Sequence, residues 1–138
     1  MDQAAHTLVV YRPSAGGDAA LRDLADSALR GGGRVSVVKL VPQEPEERGC
    51  CDTRSVLWNE ISRDLGREAL GRAALAVDGL PDVELAILCC PGRYAVDAVV
   101  REAATRSADE LLLAGAPLGR LARRRLRRIS PVPVRDAA

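Results

Sequence analysis

Short, continuous runs of apolar residues, separated by stretches with helical periodicity, restrict the fold of this chain more than any other feature. Such runs are typical of parallel strands, which are buried on both faces and joined by crossover helices. The predicted strands lie at residues 7–11, 34–41, 83–90, 111–114 and 132–134. The predicted helices lie at 19–30, where Asp18 is the expected cap, and at 54–77, 95–107 and 118–129. Because crossovers are right-handed, this order predicts one doubly wound α/β domain over residues 1–138, with helices on both faces of a five-stranded parallel sheet.

The composition restricts what can fill the core. Hydrophobic residues make up 47% of the 138 residues but aromatic residues only 2%, and Phe is absent. We therefore expect a core of Ala, Leu and Val with a few Ile. The start of the chain, MDQAAHTLVVY, lacks the basic residues and long apolar stretch of a signal peptide, and no apolar run approaches the roughly 18 residues of a membrane span. These features predict a cytoplasmic protein without a membrane contact.

The longest predicted helix, at residues 54–77, carries its large apolar side chains along one side. Apolar residues at this spacing are typical of an amphipathic helix. Trp58 is expected to anchor packing. The apolar stripe consists of Val56, Leu57, Ile61, Leu65, Ala69, Leu70, Ala73 and Leu75.

Three segments, taken in order, resemble the universal stress protein family. TLVVYRPSAGGDAALRDLADSALRGGGRVSVVKLVP, at 7–42, resembles the family's first strand–helix–strand unit. PGRYAVDAVVREAATRSADELLLAG, at 91–115, resembles its third helix and fourth strand, and RRISPVPV resembles its ending. The resemblance implies a sheet of strand order 3-2-1-4-5. It also implies a homodimer that pairs through the last strand, near Val132 and Val134.

Many members of that family bind ATP, and the resemblance identifies the matching positions here. In the family, an Asp at the end of the first strand and backbone near the end of the second contact the base. A loop of the form Gly-x2-Gly-x9-Gly-Ser/Thr holds the phosphates, because glycines let backbone N–H groups turn toward phosphate oxygens. The matching positions are Arg12, Val41, Gly115, Gly119 and Ser130, and Arg120 lies beside Gly119.

Two departures from the family pattern argue against ATP binding in the usual manner. Arg12 stands where the family has Asp, which reverses the charge. Three residues rather than two separate Gly115 from Gly119, and Ile129 replaces the last glycine, directly before Ser130. A better alignment places LARRRLRRISPVPV on the family's final helix and strand, so that the phosphate loop is deleted. We therefore expect no ATP cofactor in the usual pose.

Six arginines fall within residues 120–128. Residues 120–138 carry a net charge of +6, against −5 for the residues before them. The pattern leaves three interpretations open: a solvated outer face, a surface for an acidic protein or another subunit, and a non-specific nucleic-acid contact. Nucleic acid is the least favoured, because no aromatic residue is available for stacking. The expected apolar face of this helix consists of Leu118, Leu121, Ala122, Leu126 and Ile129.

Four cysteines lie in two adjacent pairs. Cys50 and Cys51 follow the second predicted strand, and Cys89 and Cys90 end the third. In a 3-2-1-4-5 sheet these places are neighbours at the carboxyl edge, where ligands of open α/β sheets usually bind. A redox disulfide is therefore a possibility. A metal site is disfavoured, because the spacing is not that of a zinc motif and adjacent strand residues point to opposite faces.

The only histidine, His6, lies near the amino terminus and is expected to be exposed. With no other His to serve as a base, the sequence argues against a Ser-His or Cys-His hydrolase, and no constellation supports another enzyme. The leading hypothesis is a non-enzymatic, dimeric stress or regulatory module. The alternatives are a nucleotide-binding protein with an altered phosphate site and a thiol-based sensor that uses Cys51 with Cys89 or Cys90.

Overall fold

The computed structural model describes residues 5–45 and 54–137, which form strands and helices in alternation. The strands are β1 (His6–Tyr11), β2 (Arg34–Pro42), β3 (Val83–Cys90), β4 (Glu110–Ala114) and β5 (Val134–Ala137). The helices are α1 (Ala15–Gly31), α2 (Arg54–Ala76), α3 (Ala95–Thr105) and α4 (Arg120–Ile129). A single 3-10 turn, Gly92–Tyr94, precedes α3.

All five strands are parallel, in the order β3-β2-β1-β4-β5. β1 lies at the centre, with Val9 in register with Val37 of β2 and with Leu112 of β4. Helices α1 and α2 cover one face of this sheet, and α3 and α4 cover the other. The predicted doubly wound fold and its strand order are therefore confirmed.

Small aliphatic side chains fill both core layers, as the composition predicts. Every residue of β1 is buried, which explains why residues 8–11 are continuously apolar rather than alternating. Val9 packs with Leu21 and Ala73 on one face, and Leu8 packs with Leu126 on the other. Full burial of side chains of this size stabilises the fold by about 1.5–3 kcal/mol each.

The last strand begins later than the sequence predicted. β5 starts at Val134 rather than at residue 132, because Pro133 has no N–H with which to join the ladder. The carbonyl of Pro133 still accepts a hydrogen bond from the Leu111 N–H at 2.9 Å. The edge strand is therefore centred on Arg135 and Asp136.

Only part of the predicted apolar stripe of α2 faces the sheet. Its large apolar side chains in the first half are exposed: 53% for Leu57, 48% for Trp58, 54% for Ile61 and 60% for Leu65. The expectation that Trp58 anchors packing is therefore wrong. The predicted stripe also does not lie on one side of the helix, because its members Ala69, Leu70 and Ala73 are buried against the sheet. The side chains that face the sheet are mostly small or polar: Ser55, Asn59, Ser62, Gly66, Ala69, Leu70 and Ala73.

Close approach and satisfied hydrogen bonds explain the orientation of α2. At Gly66 the helix lies so near the sheet that an added Cβ would be 2.5 Å from Val41 Cγ2. The buried Asn59 amide accepts from the Glu44 N–H at 2.8 Å and donates to the Glu44 carbonyl at 2.9 Å. Burying this amide therefore costs little, whereas the Ser55 hydroxyl on the same side is buried without a hydrogen-bond partner.

His6 is buried, so the expectation of an exposed histidine is wrong. As the first residue of β1 it lies between β2 and β4, where its Nε2 is 2.7 Å from Ser36 Oγ and its Nδ1 is 3.0 Å from the Arg106 carbonyl oxygen. It holds the amino-terminal edge of the sheet together, at the end opposite to the strands' carboxyl termini.

Helix α4 exposes part of its expected apolar face. Leu126 is fully buried, whereas Leu121 is 78% exposed and Ile129 is also exposed. No helix within residues 5–45 and 54–137 is both long and apolar enough to cross a bilayer.

Candidate functional site

A cleft of about 390 Å³ lies at the carboxyl edge of the sheet. The chain that follows β1 crosses to one face of the sheet, and the chain that follows β4 crosses to the other. Open α/β sheets usually bind ligands in the cleft at such a switch point. Its walls come from the ends of β1 and β2, from the segment after β3, and from the link between β4 and α4. The lining residues are Tyr11, Arg12, Lys39, Leu40, Pro42, Cys90, Gly92, Ala95, Pro117, Leu118, Gly119 and Ala122.

Only five residues, beginning with Gly115, join β4 to α4. Gly115 has φ +81°, and a Cβ there would lie 2.4 Å from the Arg12 carbonyl oxygen and 2.8 Å from Ser14 Oγ. The link therefore packs directly under the turn that follows β1. Close packing explains this glycine fully, because no larger residue fits between the two turns.

Two cations face the cleft, and none of the described residues that line it is acidic. The Arg12 guanidinium is exposed and lies 3.5 Å from the Ala116 carbonyl oxygen. Lys39 is partly buried, and its Nζ donates to the Leu40 carbonyl at 2.8 Å. Burial lowers the pKa of Lys39, and the neighbouring Arg12 charge lowers it further. The arrangement therefore leaves positive charge without a compensating carboxylate.

The amino terminus of α4 adds to this positive potential. Gly119 is the N-cap, and no side chain caps the first turn. Unlike at Gly115, a Cβ on Gly119 would meet nothing within 4 Å, so this glycine borders open space. Uncapped N–H groups and the helix dipole favour a negative group here. Together with Arg12 and Lys39 they form a pocket suited to an anion.

The other sequence-predicted positions lie around this cleft rather than in it. Arg120 is exposed at the start of α4, outside the lining. The Val41 side chain is buried against Gly66 of α2, although its neighbours Leu40 and Pro42 line the cleft. Ser130 is the C-cap at the far end of α4, where its hydroxyl donates to the Val132 carbonyl at 2.7 Å. The structure thus brings together Arg12 and Gly119, with Gly115 beneath them.

The described cysteines do not form a reactive pair. Cys89 is exposed and Cys90 is buried, and both are free thiols. Burial raises the pKa of the Cys90 thiol, with a smaller effect from Cys89, so its thiolate fraction is low. Cys50 and Cys51 lie outside the described residues. Within residues 5–45 and 54–137, no three His, Cys, Asp or Glu side chains are grouped to hold a metal ion.

A buried polar network supports the wall of the cleft. The Tyr11 hydroxyl donates to Asp18 Oδ1, and Arg72 Nε and Nη2 lie 2.8 Å and 2.7 Å from Asp18 Oδ2. Asp18 was predicted to cap α1, but Ser14 is the cap, with its Oγ 2.9 Å from the Gly17 N–H. Asp18 instead ties β1 and α1 to α2.

Sequence reasoning missed Lys39 as part of the site. A usable signal was present, because Lys39 is the only lysine of the chain and interrupts the apolar positions Val35, Val37 and Val41 on one face of β2. A charged residue near the carboxyl end of a buried strand marks the edge where ligands bind.

Comparison with known proteins supports this view of the fold. No protein-family model and no curated protein matches the chain. Among solved structures, a protein from the universal stress protein family of Burkholderia pseudomallei aligns with a TM-score of 0.75, at 17% identity, over 96% of this chain and 94% of its own. A universal stress protein from Archaeoglobus fulgidus, in complex with dAMP, aligns with a TM-score of 0.66, at 19% identity, over 100% of both chains. The chain has the universal stress protein fold.

A further structure with the universal stress protein fold, described in complex with cAMP, covers 99% of both chains at 22% identity and a TM-score of 0.61. The fold implied by the resemblance in the sequence is confirmed. Within its universal stress protein fold, this chain has Arg12, Lys39 and the start of α4 around the carboxyl-edge cleft.

Proposed function

We propose that this protein is a non-enzymatic stress-response module whose carboxyl-edge cleft binds the phosphate group of a small mononucleotide. The observation that carries the proposal is the pair of cations, Arg12 and Lys39, which face one cleft without an acidic partner among the described residues of its lining. Two charged donors and an uncapped helix start can together hold one phosphate group.

The size of the cleft and the short link favour a mononucleotide over ATP. About 390 Å³ is in the range of small-ligand pockets, and Leu40, Pro42 and Leu118 provide apolar walls for a base or ribose. The five-residue link offers few backbone N–H groups for a triphosphate. Proteins of this fold are described in complex with dAMP and with cAMP, which supports a monophosphate ligand here.

The lining also supports binding rather than catalysis. It contains no His, Asp or Glu that could move a proton, and its one thiol, Cys90, has a raised pKa. A cleft that binds and releases a ligand without chemical change is sufficient for a regulatory module.

Isothermal titration with AMP, cAMP, ATP and inorganic phosphate tests this proposal. We expect AMP or cAMP to bind more tightly than ATP, and Arg12→Ala and Lys39→Ala each to weaken binding about tenfold or more. Arg101→Ala is the matched control, since Arg101 lies on α3 beside Cys89, outside the cleft. Absence of binding by all four ligands would overturn the proposal, and so would ATP binding that is unaffected by both cleft variants.

The resemblance also implies a homodimer through the last strand, and the structure offers an edge for it. Within the described chain β5 pairs with β4 alone, so its outer edge is open. We propose that two copies pair through this edge, near Val132, Val134 and Arg135. A twofold pairing of this kind stops at two copies.

The thiol-sensor hypothesis has less support. The raised pKa of Cys90 lowers its reactivity, and exposed Cys89 points to the opposite face of β3. A link between Cys50 or Cys51 and either of them stays a prediction, which mass spectrometry after mild oxidation would test.

A further inference from the structure

The outward face of α2 combines acidic and apolar residues in a regular pattern. Glu60, Asp64 and Glu68 follow one another at intervals of four, so they form one row along the helix, with steps of about 6 Å. Leu57 and Ile61, both more than half exposed, lie beside this row. Of the three acids, only Asp64 makes an ion pair within the described chain, with Arg67 at 3.0 Å, and both side chains are largely exposed. Exposed pairs of this kind are weak.

The outward face of α4 has the complementary pattern. Arg120, Arg124 and Arg128 are exposed, also recur at intervals of four, and lie on the side opposite to buried Leu126. Leu121 stands beside this row and is 78% exposed.

These three arginines differ from the others of the helix. Arg125 pairs with Asp97 at 2.9 Å, and both Arg123 and Arg127 pair with Asp136. Arg120, Arg124 and Arg128 form no ion pair with the described residues.

We propose that α4 of one molecule docks on α2 of a second copy of this chain. The two rows have the same length and spacing and opposite charge, so three ion pairs can form together. In an antiparallel arrangement Arg124 meets Asp64 at the centre, and the terminal arginines meet Glu60 and Glu68. Leu121 then lies on the same side as the exposed Leu65 and within about 3 Å of it along the axis, which gives the contact an apolar anchor.

The position of the two helices makes this a contact between molecules. α2 covers one face of the sheet and α4 covers the other, so the rows cannot meet within one chain. Each molecule offers one row of each kind on opposite faces. The contact is therefore heterologous and extends to a third copy unless a ring closes, whereas pairing through β5 stops at a dimer.

A second copy fits this surface better than a nucleic acid does. Leu121 is an apolar anchor without a role on a phosphate backbone, and α4 contains no aromatic residue to stack on bases. The same contact also covers exposed apolar side chains of α2, which would otherwise face water.

A charge exchange tests the proposal. Sedimentation velocity over a range of protein concentrations at low salt should show the mean mass rising beyond a dimer, and high salt should reverse this, because screening weakens exposed ion pairs. Arg124→Glu and Asp64→Arg should each weaken the association by about tenfold or more, and the double variant should restore it. Both substitutions place opposite charges at four-residue spacing within their own helix, so the fold is expected to be kept.

Controls separate this contact from other effects of charge. Arg101→Glu, on the β3 side of α3, changes the net charge as Arg124→Glu does and should leave the association unchanged. Leu121→Ser should weaken it without loss of stability. A mass that does not depend on concentration, equal effects of Arg101→Glu and Arg124→Glu, or a double variant that fails to recover would each overturn the proposal. Binding of duplex DNA by α4 in place of self-association would do the same.

Discussion

Lys39 carries its charge in a place where a lysine is unusual. It lies near the carboxyl end of β2, in register with Ile87 of β3, and its side chain is partly buried. Burial lowers its pKa, and Arg12 lowers it further. Because the folded-state pKa lies below the unfolded one, the charge of Lys39 costs stability at pH values below the folded pKa. The cost disappears as the pH rises toward the ordinary lysine value of about 10.4.

Lys39 gives the only lysine signal, since the chain has no other lysine, and the amino terminus is the one other amine that methylation labels. After reductive methylation with 13C-formaldehyde, a pH titration followed by NMR should give Lys39 a pKa below that of a free lysine. Arg12→Ala should raise this pKa by removing the neighbouring charge, and saturating AMP should raise it through an opposite charge. An unchanged value in both experiments would place Arg12 and the ligand away from Lys39.

At the scale of elements, α2 shows how a small residue sets the position of a helix. Gly66 brings its axis close to β2 and β3, where an added Cβ would lie 2.5 Å from Val41 Cγ2 and 3.2 Å from Ile87 Cγ2. Both neighbours are β-branched side chains in a packed sheet, so they have little freedom to move aside. Gly71 lies on the same helix with no atom within 4 Å of the position of its Cβ.

The two glycines should therefore respond oppositely to alanine. Gly66→Ala is expected to lower the free energy of unfolding by about 1–3 kcal/mol through overpacking. Gly71→Ala should raise it by up to about 1 kcal/mol, because alanine favours the helix. Urea denaturation of both variants measures the difference. Equal changes would mean that α2 does not approach the sheet at Gly66.

The same helix shows what the sequence could and could not predict. The first four strands were predicted to within about a residue, because buried parallel strands are continuously apolar, and the family resemblance supplied their order. The sequence predicted α2 itself, but it grouped exposed Leu57, Ile61 and Leu65 with residues that face the sheet. Periodicity cannot show that Asn59 is paired or that Gly66 permits close approach. In the candidate site, the resemblance singled out Arg12 and Gly119, whereas Lys39 was missed although its place among the apolar residues of β2 gave a signal.

At the scale of the whole molecule, the Tyr11–Asp18–Arg72 network joins a central strand to both helices of one layer. Burial alone would raise the pKa of Asp18, but the hydrogen bonds from Arg72 and Tyr11 outweigh it and hold the pKa below its ordinary value. Burial and the bond to Asp18 raise the pKa of Tyr11, so its hydroxyl stays a donor. The ionised carboxylate is therefore part of the folded structure.

Acid should weaken the whole fold through this network. Because the folded-state pKa of Asp18 is lowered, its contribution is present above the unfolded value, about 3.9, and is lost as the pH falls through the folded pKa. Asp18→Asn should lower the free energy of unfolding by about 1–3 kcal/mol at neutral pH and by progressively less in acid. Denaturation curves over this pH range test it. A difference that does not change with pH would contradict the assignment of the network to Asp18 ionisation.

The close packing of Gly115 under the turn after β1 also affects how fast a ligand can bind and leave. With no room between the two turns, the segment from Gly115 to Gly119 is too short and too well packed to swing over the cleft as a cover. A mononucleotide would then enter and leave without waiting for this segment to move, so its occupancy would follow its free concentration closely.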